Sequence, residues 1–177
     1  MFHMRMLSIA GIAIFASAVM PGFFLQADDE HLKISEVILD QSFKNSDINE
    51  LKKVWSPEGG SEFGATVDDG TLLFNVPAST KMEGFKIARS LPVDKLRGAA
   101  LNISARIRGE NISPKPYPYN GAKIMLKVVT ESQTNYPQVR PTKEGTFGWM
   151  DVNIVVTIPE TVKSVQLVLG LEKVSGR

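Results

Sequence analysis

The sequence predicts an all-β protein with the fold of an antiparallel β-sandwich or jelly roll. Along several segments, apolar residues alternate with polar ones, as in strands that turn one face toward a core. Glycine and proline interrupt these segments at short intervals, which is typical of antiparallel sandwiches. The composition is ordinary for a globular protein, with 43% hydrophobic and 22% charged residues among 177.

The strands are predicted in chain order from this alternation. It is clearest at 101–107, 124–128 and 165–171, where every second residue is apolar. One short helix is predicted at 47–54, because Asp47 and Glu50 form a capping-box pattern. Further strands are expected at 37–39, 71–76, 85–90 and 151–158, with turns at 69–70, 91–92, 109–111, 114–121 and 159–160.

Charge and cysteine content exclude several classes of function. The chain has 20 Lys and Arg against 19 Asp and Glu, and Arg5 is the one charged residue before Asp28. Residues 28–177 therefore carry no formal net charge, which argues against a nucleic-acid binder driven by phosphate neutralisation. There is no cysteine, so thiol catalysis, disulfides and thiolate metal sites are excluded.

The N-terminus is predicted to be an export signal peptide at 1–27, with a helical apolar segment. Arg5 precedes an uncharged apolar run at 7–19, and Ala27 stands before an acidic stretch. The run is shorter than the roughly 20 residues that a bilayer-spanning helix needs. Cleavage is expected after Ala27; cleavage after Ala18 and an uncleaved anchor are the alternatives.

The rest of the chain then divides into two parts. Residues 28–35 are expected to form a flexible segment, and 36–177 the sandwich domain. The exported protein is expected to be secreted or periplasmic, and to meet a membrane only through its signal segment before cleavage.

Catalytic motifs are scarce. His31 is the only histidine after the predicted leader and lies in a charged stretch, so a Ser-His-Asp triad has no base on the core. A terminal copper or nickel site at 28–31 is not favoured, because the histidine would be fourth in the mature chain. Glycoside hydrolysis needs only two carboxylates across a cleft, but no pair of acids is spaced in a way that indicates one. The protein is therefore predicted not to be an enzyme.

Aromatic and amide residues in loops point to sugar binding. Tyr117, Tyr119 and Tyr136 lie in proline-containing segments, with Asn120 and Gln138 close by. A pyranose ring packs its C–H groups on an aromatic face, and its hydroxyls need amide or cationic partners. Each aromatic ring adds about 0.5–1.5 kcal/mol beyond its buried area. The alternative is that these tyrosines only cover the ends of the sandwich.

Two further features concern the predicted strands. Trp149 precedes the 151–158 strand and is expected over the core edge or on a ligand, whereas Trp55 is expected to cover the core. Four cations fall on the non-core side of two strands and would form one basic face if those strands share a sheet. They are Arg106, Arg108, Lys123 and Lys127.

With these residues placed, the chain resembles carbohydrate-binding modules of the galactose-binding-like jelly-roll type, which accompany secreted glycoside hydrolases. The resemblance covers about 36–177. The similar stretches include Trp55, 69–74, 91–94, 101–109, 120–126, 136–138, 145–149, 158–160 and 165–171.

The resemblance implies non-catalytic binding of a polysaccharide or oligosaccharide, with a hydrolase as a possible partner. It also implies a last strand that would begin near Ser175, where this sequence stops, so the domain is expected to be truncated and to lack that strand. A structural Ca²⁺ is implied as well, with Glu36 and Asp40 as the candidate ligands. No other cofactor is expected. The competing interpretations are a spacer domain without a ligand and the front piece of a secreted hydrolase. The residues predicted to bind ligand are Arg106, Tyr119, Asn120, Lys123, Tyr136, Gln138 and Trp149.

Overall fold

The structure is a computed structural model that describes residues 7–17, 35–44, 46–59, 62–79, 84–140 and 143–177. The elements of this part of the chain are strands, one short α-helix and a single 3-10 turn at Val93–Lys95. In chain order they are β1 (Leu7–Ser17), β2 (Ser35–Ser42), α1 (Ile48–Val54), β3 (Ser56–Pro57), β4 (Ala65–Asp68), β5 (Thr71–Phe74), β6 (Lys86–Ser90), β7 (Ala100–Ile112), β8 (Gly121–Thr130), β9 (Thr134–Asn135), β10 (Gly145–Thr157) and β11 (Val162–Glu172).

The strands form two antiparallel sheets. In sheet A the order is β10–β7–β1–β5–β4, and β2 also pairs with β1. In sheet B the order is β3–β6–β11–β8–β9. One apolar core contains residues of both sheets, such as Leu101 and Ile103 of β7 and Leu167 and Leu169 of β11. The predicted all-β, antiparallel and sandwich-like character is confirmed.

Alternation identifies the faces of β7 correctly. Leu101, Ile103 and Ile107 are buried in the core, while Arg106 between them is exposed. In β8 the alternation does not separate a buried face from an open one, since Lys123 and Met125 are also buried. Met125 packs with Ala88 of β6 and Val168 of β11 in a second, smaller apolar cluster. Sheet B is therefore apolar on both sides at this point. The periodicity of a single strand cannot show that both of its faces are covered.

The predicted helix is confirmed, but its cap differs from the prediction. The Asp47 carboxylate accepts a hydrogen bond from the backbone N–H of Asn49, at 2.9 Å. Glu50 does not complete a capping box, because its carboxylate pairs with Lys53 one turn later. Trp55 ends the helix and is only 2% exposed, so its predicted place over the core is confirmed.

The turn predicted at 109–111 is wrong, because β7 continues through it to Ile112. Gly109 is required there for a different reason than a turn. A Cβ on Gly109 would lie 2.5 Å from the Phe147 ring of β10, so the glycine makes room for an aromatic side chain of the neighbouring strand. β10 is also longer than expected and begins at Gly145, which places Trp149 inside the strand.

The apolar run near the N-terminus lies in sheet A. Leu7–Ser17 is described as the strand β1, and the predicted signal helix is not confirmed. Removal of 1–27 would take β1 out of the sheet, so β1 belongs to the uncleaved chain. Cleavage, export and the division at residues 27 and 35 stay predictions. Within the described ranges, no helix has the length and apolar character to cross a bilayer.

Candidate functional site

The residues predicted to bind ligand form two separate groups. Tyr119, Asn120, Lys123 and Gln138 converge at one end of sheet B, whereas Arg106 and Trp149 lie on sheet A. Arg106 and Arg108 lie on sheet A and Lys123 and Lys127 on sheet B, so the condition for a single basic face, that the two strands share a sheet, is not met. Alternation assigns a side chain to one face of a strand, but it does not say which sheet the strand joins.

The first group is built on the loop between β7 and β8, which we call the tyrosine loop (residues 116–120). Its turn is closed by a 3.0 Å hydrogen bond from the Asn120 backbone N–H to the Tyr117 carbonyl. The rings of Tyr117 and Tyr119 stack in parallel, with centroids 5.4 Å apart and 3° between their planes. Both side chains face outward, since Tyr117 is 53% and Tyr119 49% exposed.

Lys123 of β8 fixes the inner side of this loop. Its ammonium donates to the backbone carbonyl of Tyr119 and, at 2.7 Å, to Oε1 of Gln138. Gln138 Nε2 donates to the same Tyr119 carbonyl at 3.1 Å. Lys123 Nζ also lies 5.9 Å from the centroid of the Tyr119 ring, within the range of a cation–π contact. The tyrosine loop is thus held by side chains rather than only by its prolines.

A carboxylate from β11 neutralises Lys123. Glu172 Oε2 lies 2.7 Å from Lys123 Nζ and accepts from Asn120 Nδ2 at 3.0 Å. Its other oxygen, Oε1, lies 2.9 Å from Lys86 Nζ of β6. We call Lys86, Lys123 and Glu172 the charge cluster. Lys123 is only 3% exposed, so its positive charge is stabilised by the Glu172 carboxylate rather than by hydration.

The charge cluster shifts two pKa values. Burial raises the pKa of the Glu172 carboxyl, but hydrogen bonds and charge from Lys123 and Lys86 outweigh burial and lower this pKa from 4.5 to about 2. Burial lowers the pKa of the Lys123 ammonium, against the opposing effect of Glu172. Arg140 and Lys86 add positive charge that lowers it further.

An open cleft of about 370 Å³ lies beside the tyrosine loop. Tyr117 forms part of its wall, between Pro116 and Pro118, and the charged residues that line it include Arg140. Among the described residues of its lining, Glu144 is the one carboxylate. That carboxylate also accepts a hydrogen bond from the backbone N–H of Lys115, at 3.2 Å.

The second group lies on β7 and β10. The guanidinium carbons of Arg106 and Arg108 lie 5.6 and 5.0 Å from the ring centroid of Trp149. Asp151 flanks Arg106 with an oxygen 3.7 Å from its Nε, and both groups are largely exposed. The ring of Trp149 is therefore already covered in part by cations of its own chain.

Other predicted residues lie elsewhere. Tyr136 is exposed just after β9, and no contact is described between its ring and the stacked pair. Glu36 is paired with Lys95, and Asp40 is exposed on β2. Within the described ranges, no three His, Asp or Glu side chains come together as a metal site would require. His31 falls outside these ranges.

Sequence reasoning missed Glu172 and Lys86. The available signal is the alternation at 165–171, which extends to position 172 and places Glu172 on the face of β11 that points away from the main core. Arg140 was missed as well, because it follows β9 in a segment without periodicity.

Acid is expected to destabilise the protein through Glu172. Because its pKa is about 2 in the folded state and 4.5 as the ordinary value, its contribution to stability is complete above about pH 4.5 and is lost as the pH falls toward 2. Urea unfolding of the wild type and of Glu172→Gln between pH 7 and pH 2 measures this. The stability difference between the two proteins should shrink over that window; a difference that stays constant down to pH 2 would contradict the assigned pKa.

The fold and the site define an all-β, antiparallel, sandwich-like protein that carries an exposed aromatic pair over a charge cluster. No known family model matches the chain, and no curated protein is significantly similar to it.

Proposed function

We propose that this protein is a non-catalytic carbohydrate-binding module, and that the tyrosine loop with its adjacent cleft is the binding surface. The observation that carries the proposal is the exposed, parallel pair of Tyr117 and Tyr119 beside an open cleft. Two exposed aromatic rings that adjoin each other at the edge of a cleft form the kind of contiguous apolar patch that marks a ligand-binding groove.

Tyr117 is the main stacking platform in this proposal. It covers one side of Tyr119 and lines the cleft, so a sugar in the cleft meets the ring of Tyr117 first. The C–H groups of a pyranose pack on such a face, with about 0.5–1.5 kcal/mol for each ring beyond the buried area. A few contacts of this size correspond to binding between millimolar and micromolar.

The polar residues divide into two roles. Lys123 and Gln138 already use their polar atoms on Tyr119 and on each other, so they position the loop rather than contact a sugar. Asn120 is buried and donates to Glu172, which favours the same role. Hydroxyl or carboxylate groups of a ligand would instead meet Arg140, Lys115 and Glu144 in the cleft.

The surface around Trp149 is the weaker candidate. Two guanidinium groups already lie against that ring, and Arg106 is engaged by Asp151. A sugar would have to displace these contacts, whereas Tyr117 offers its ring directly. Tyr136 is an additional exposed platform in this proposal, at some distance along the chain from the stacked pair.

The same proposal includes the export leader, the galactose-binding-like jelly-roll type, and a role accessory to a secreted glycoside hydrolase. These are what the leader pattern and the resemblance imply. The exposed tyrosines favour binding over the spacer interpretation, which predicts that they pack inward. The cleft, with Glu144 as the one carboxylate among its described residues, does not favour the hydrolase interpretation, which needs two.

Replacing Tyr117 with alanine is expected to weaken carbohydrate binding about 5- to 30-fold, the equivalent of about 1–2 kcal/mol. Affinity electrophoresis in gels with neutral and uronic-acid polysaccharides measures this as lost retardation. Trp149→Ala is the matched control, since it removes an exposed ring from the other sheet. Retardation of the folded wild type by no polysaccharide would overturn the proposal, and an effect of Trp149→Ala alone would move the site to sheet A.

A further inference from the structure

The strand β1 lies in a gap with partners on both sides. On one side it pairs with β7, from Ser8 opposite Arg108 to Ser17 opposite Ala100. On the other side its first residues pair with β5 and the remainder with β2. We call the gap between β7 on one side and β5 and β2 on the other the channel. Without β1, sheet A would separate into three parts with open edges, namely β10–β7, β5–β4 and β2.

The last residues of the chain lie in the same channel. Arg177 and Glu110 of β7 exchange backbone hydrogen bonds in both directions, and Gly176 forms an antiparallel bridge with Val76 just beyond β5. β1 and the last two residues, Gly176 and Arg177, both run antiparallel to β7, so the end of the chain runs in the same direction as β1. Two segments that are far apart in sequence thus use the edges of the same two strands.

The chemistry of the channel follows from its present occupant. The sequence of β1, Leu7–Ser17, has no charged residue and no proline. Both of its edges are paired, so an occupant needs a free N–H and C=O at nearly every position, which proline would interrupt. A central strand of a packed sheet also disfavours charge, because burial of an unpaired ion is costly.

We propose that the channel is a strand-acceptor site whose ligand is an uncharged, extended segment with the residue pattern of β1. In the uncleaved chain, residues 7–17 fill it. A chain from which 1–27 has been removed would present the open edges of β7, β5 and β2 to another segment of this kind. This proposal goes beyond carbohydrate binding and does not rest on it.

Cross-linking within the full chain tests the position of β1, because the protein has no cysteine of its own. Ala13 is paired with Ser104, and Ile14 with Ile103. Adjacent antiparallel pairs alternate between a wider and a closer type, so one of these two pairs is of the closer type and suits a disulfide. Air oxidation of Ala13→Cys/Ser104→Cys or of Ile14→Cys/Ile103→Cys is expected to give a cross-link in most molecules.

The matched control is Ala13→Cys/Asn153→Cys. Asn153 pairs with Ser104 from the opposite side, so it lies two strands from Ala13, roughly 10 Å away and too far for a disulfide. Failure of both paired variants to cross-link in folded protein, or equal cross-linking of the control, would overturn the placement of β1 and with it the proposal.

Acceptance of a strand in trans requires a chain whose own β1 is weakened. Ile12→Pro removes a backbone donor from the centre of β1. The Ile12→Pro chain is given one cysteine in β7, at the β7 position of whichever pair cross-links in the full chain. A peptide with the sequence of residues 7–17 then carries the other cysteine of that pair, and it is added to this chain. It should form a mixed disulfide, and a peptide of scrambled sequence should not.

Two results would overturn the acceptor site. One is an Ile12→Pro chain that folds but cross-links no better to the peptide than to its scrambled form. The other is an Ile12→Pro chain that does not fold and whose β circular-dichroism signal the peptide does not restore. Restoration of that signal by the peptide alone would support the proposal as directly as the cross-link.

Discussion

Replacing Glu172 with glutamine is expected to lower the free energy of unfolding by about 3 kcal/mol, the lower end of what breaking a buried ion pair costs. The carboxylate lies between the ammonium groups of Lys123 and Lys86, at 2.7 and 2.9 Å. Lys123 is almost completely buried, so the variant keeps a positive charge in a place that water does not reach. Equilibrium urea unfolding at pH 7, followed by circular dichroism, measures the change.

The control for this variant is Glu131→Gln. Glu131 pairs with Lys163 at the same 2.7 Å distance, but both side chains are mostly exposed, so the loss should be about 0–1 kcal/mol. Equal losses in the two variants would mean that the charge cluster is not desolvated, and the assigned burial of Lys123 would be wrong.

A double variant separates stability from binding. Adding Lys123→Met to Glu172→Gln removes the charge that the single variant leaves buried, so part of the lost stability should return. The tyrosine loop of the double variant would lose the ammonium that donates to the Tyr119 carbonyl, so its retardation by carbohydrate should be weaker than that of the wild type. Recovery of both properties together would contradict a positioning role for Lys123.

The sequence could predict strands but not their neighbours. The alternation at 101–107 is a local property of the sequence, because successive buried residues of a strand lie two positions apart. It can therefore be recognised without knowing the neighbouring strands. The residues of β7 that pair with β1 are more than 80 positions further along the chain, and no local pattern carries that information. An uncharged apolar run suits a removable leader and a central strand equally well, so composition alone could not distinguish them.

The candidate site was predictable where its residues are close in sequence. Tyr119, Asn120 and Lys123 lie within five residues, and the turn between them brings them together. Glu172 reaches them only because β11 lies between β6 and β8 in sheet B. A single basic face also required β7 and β8 to share a sheet, but these strands are consecutive in sequence and belong to different sheets.

Replacing Gly170 with alanine is expected to destabilise the protein by roughly 2–6 kcal/mol, from backbone strain and overpacking together. Gly170 lies in β11 with φ at +147°, a conformation that residues with a Cβ rarely adopt. A Cβ there would lie 2.1 Å from the carbonyl oxygen of Phe85, which accepts the backbone hydrogen bond of Leu171. β6 would have to move away from β11.

The consequence extends to the charge cluster, because Gly170 is paired with Lys86 on one side and Lys123 on the other. A shift of β6 would lengthen the contact between Lys86 and Glu172. Gly148→Ala is the matched control, since a Cβ on Gly148 of β10 meets no atom within 4 Å, and it should change stability by less than about 1 kcal/mol. Urea unfolding of both variants measures the difference. Equal stabilities would mean that β6 and β11 do not approach each other as closely as described, and that the position of Lys86 in the charge cluster does not depend on this close contact.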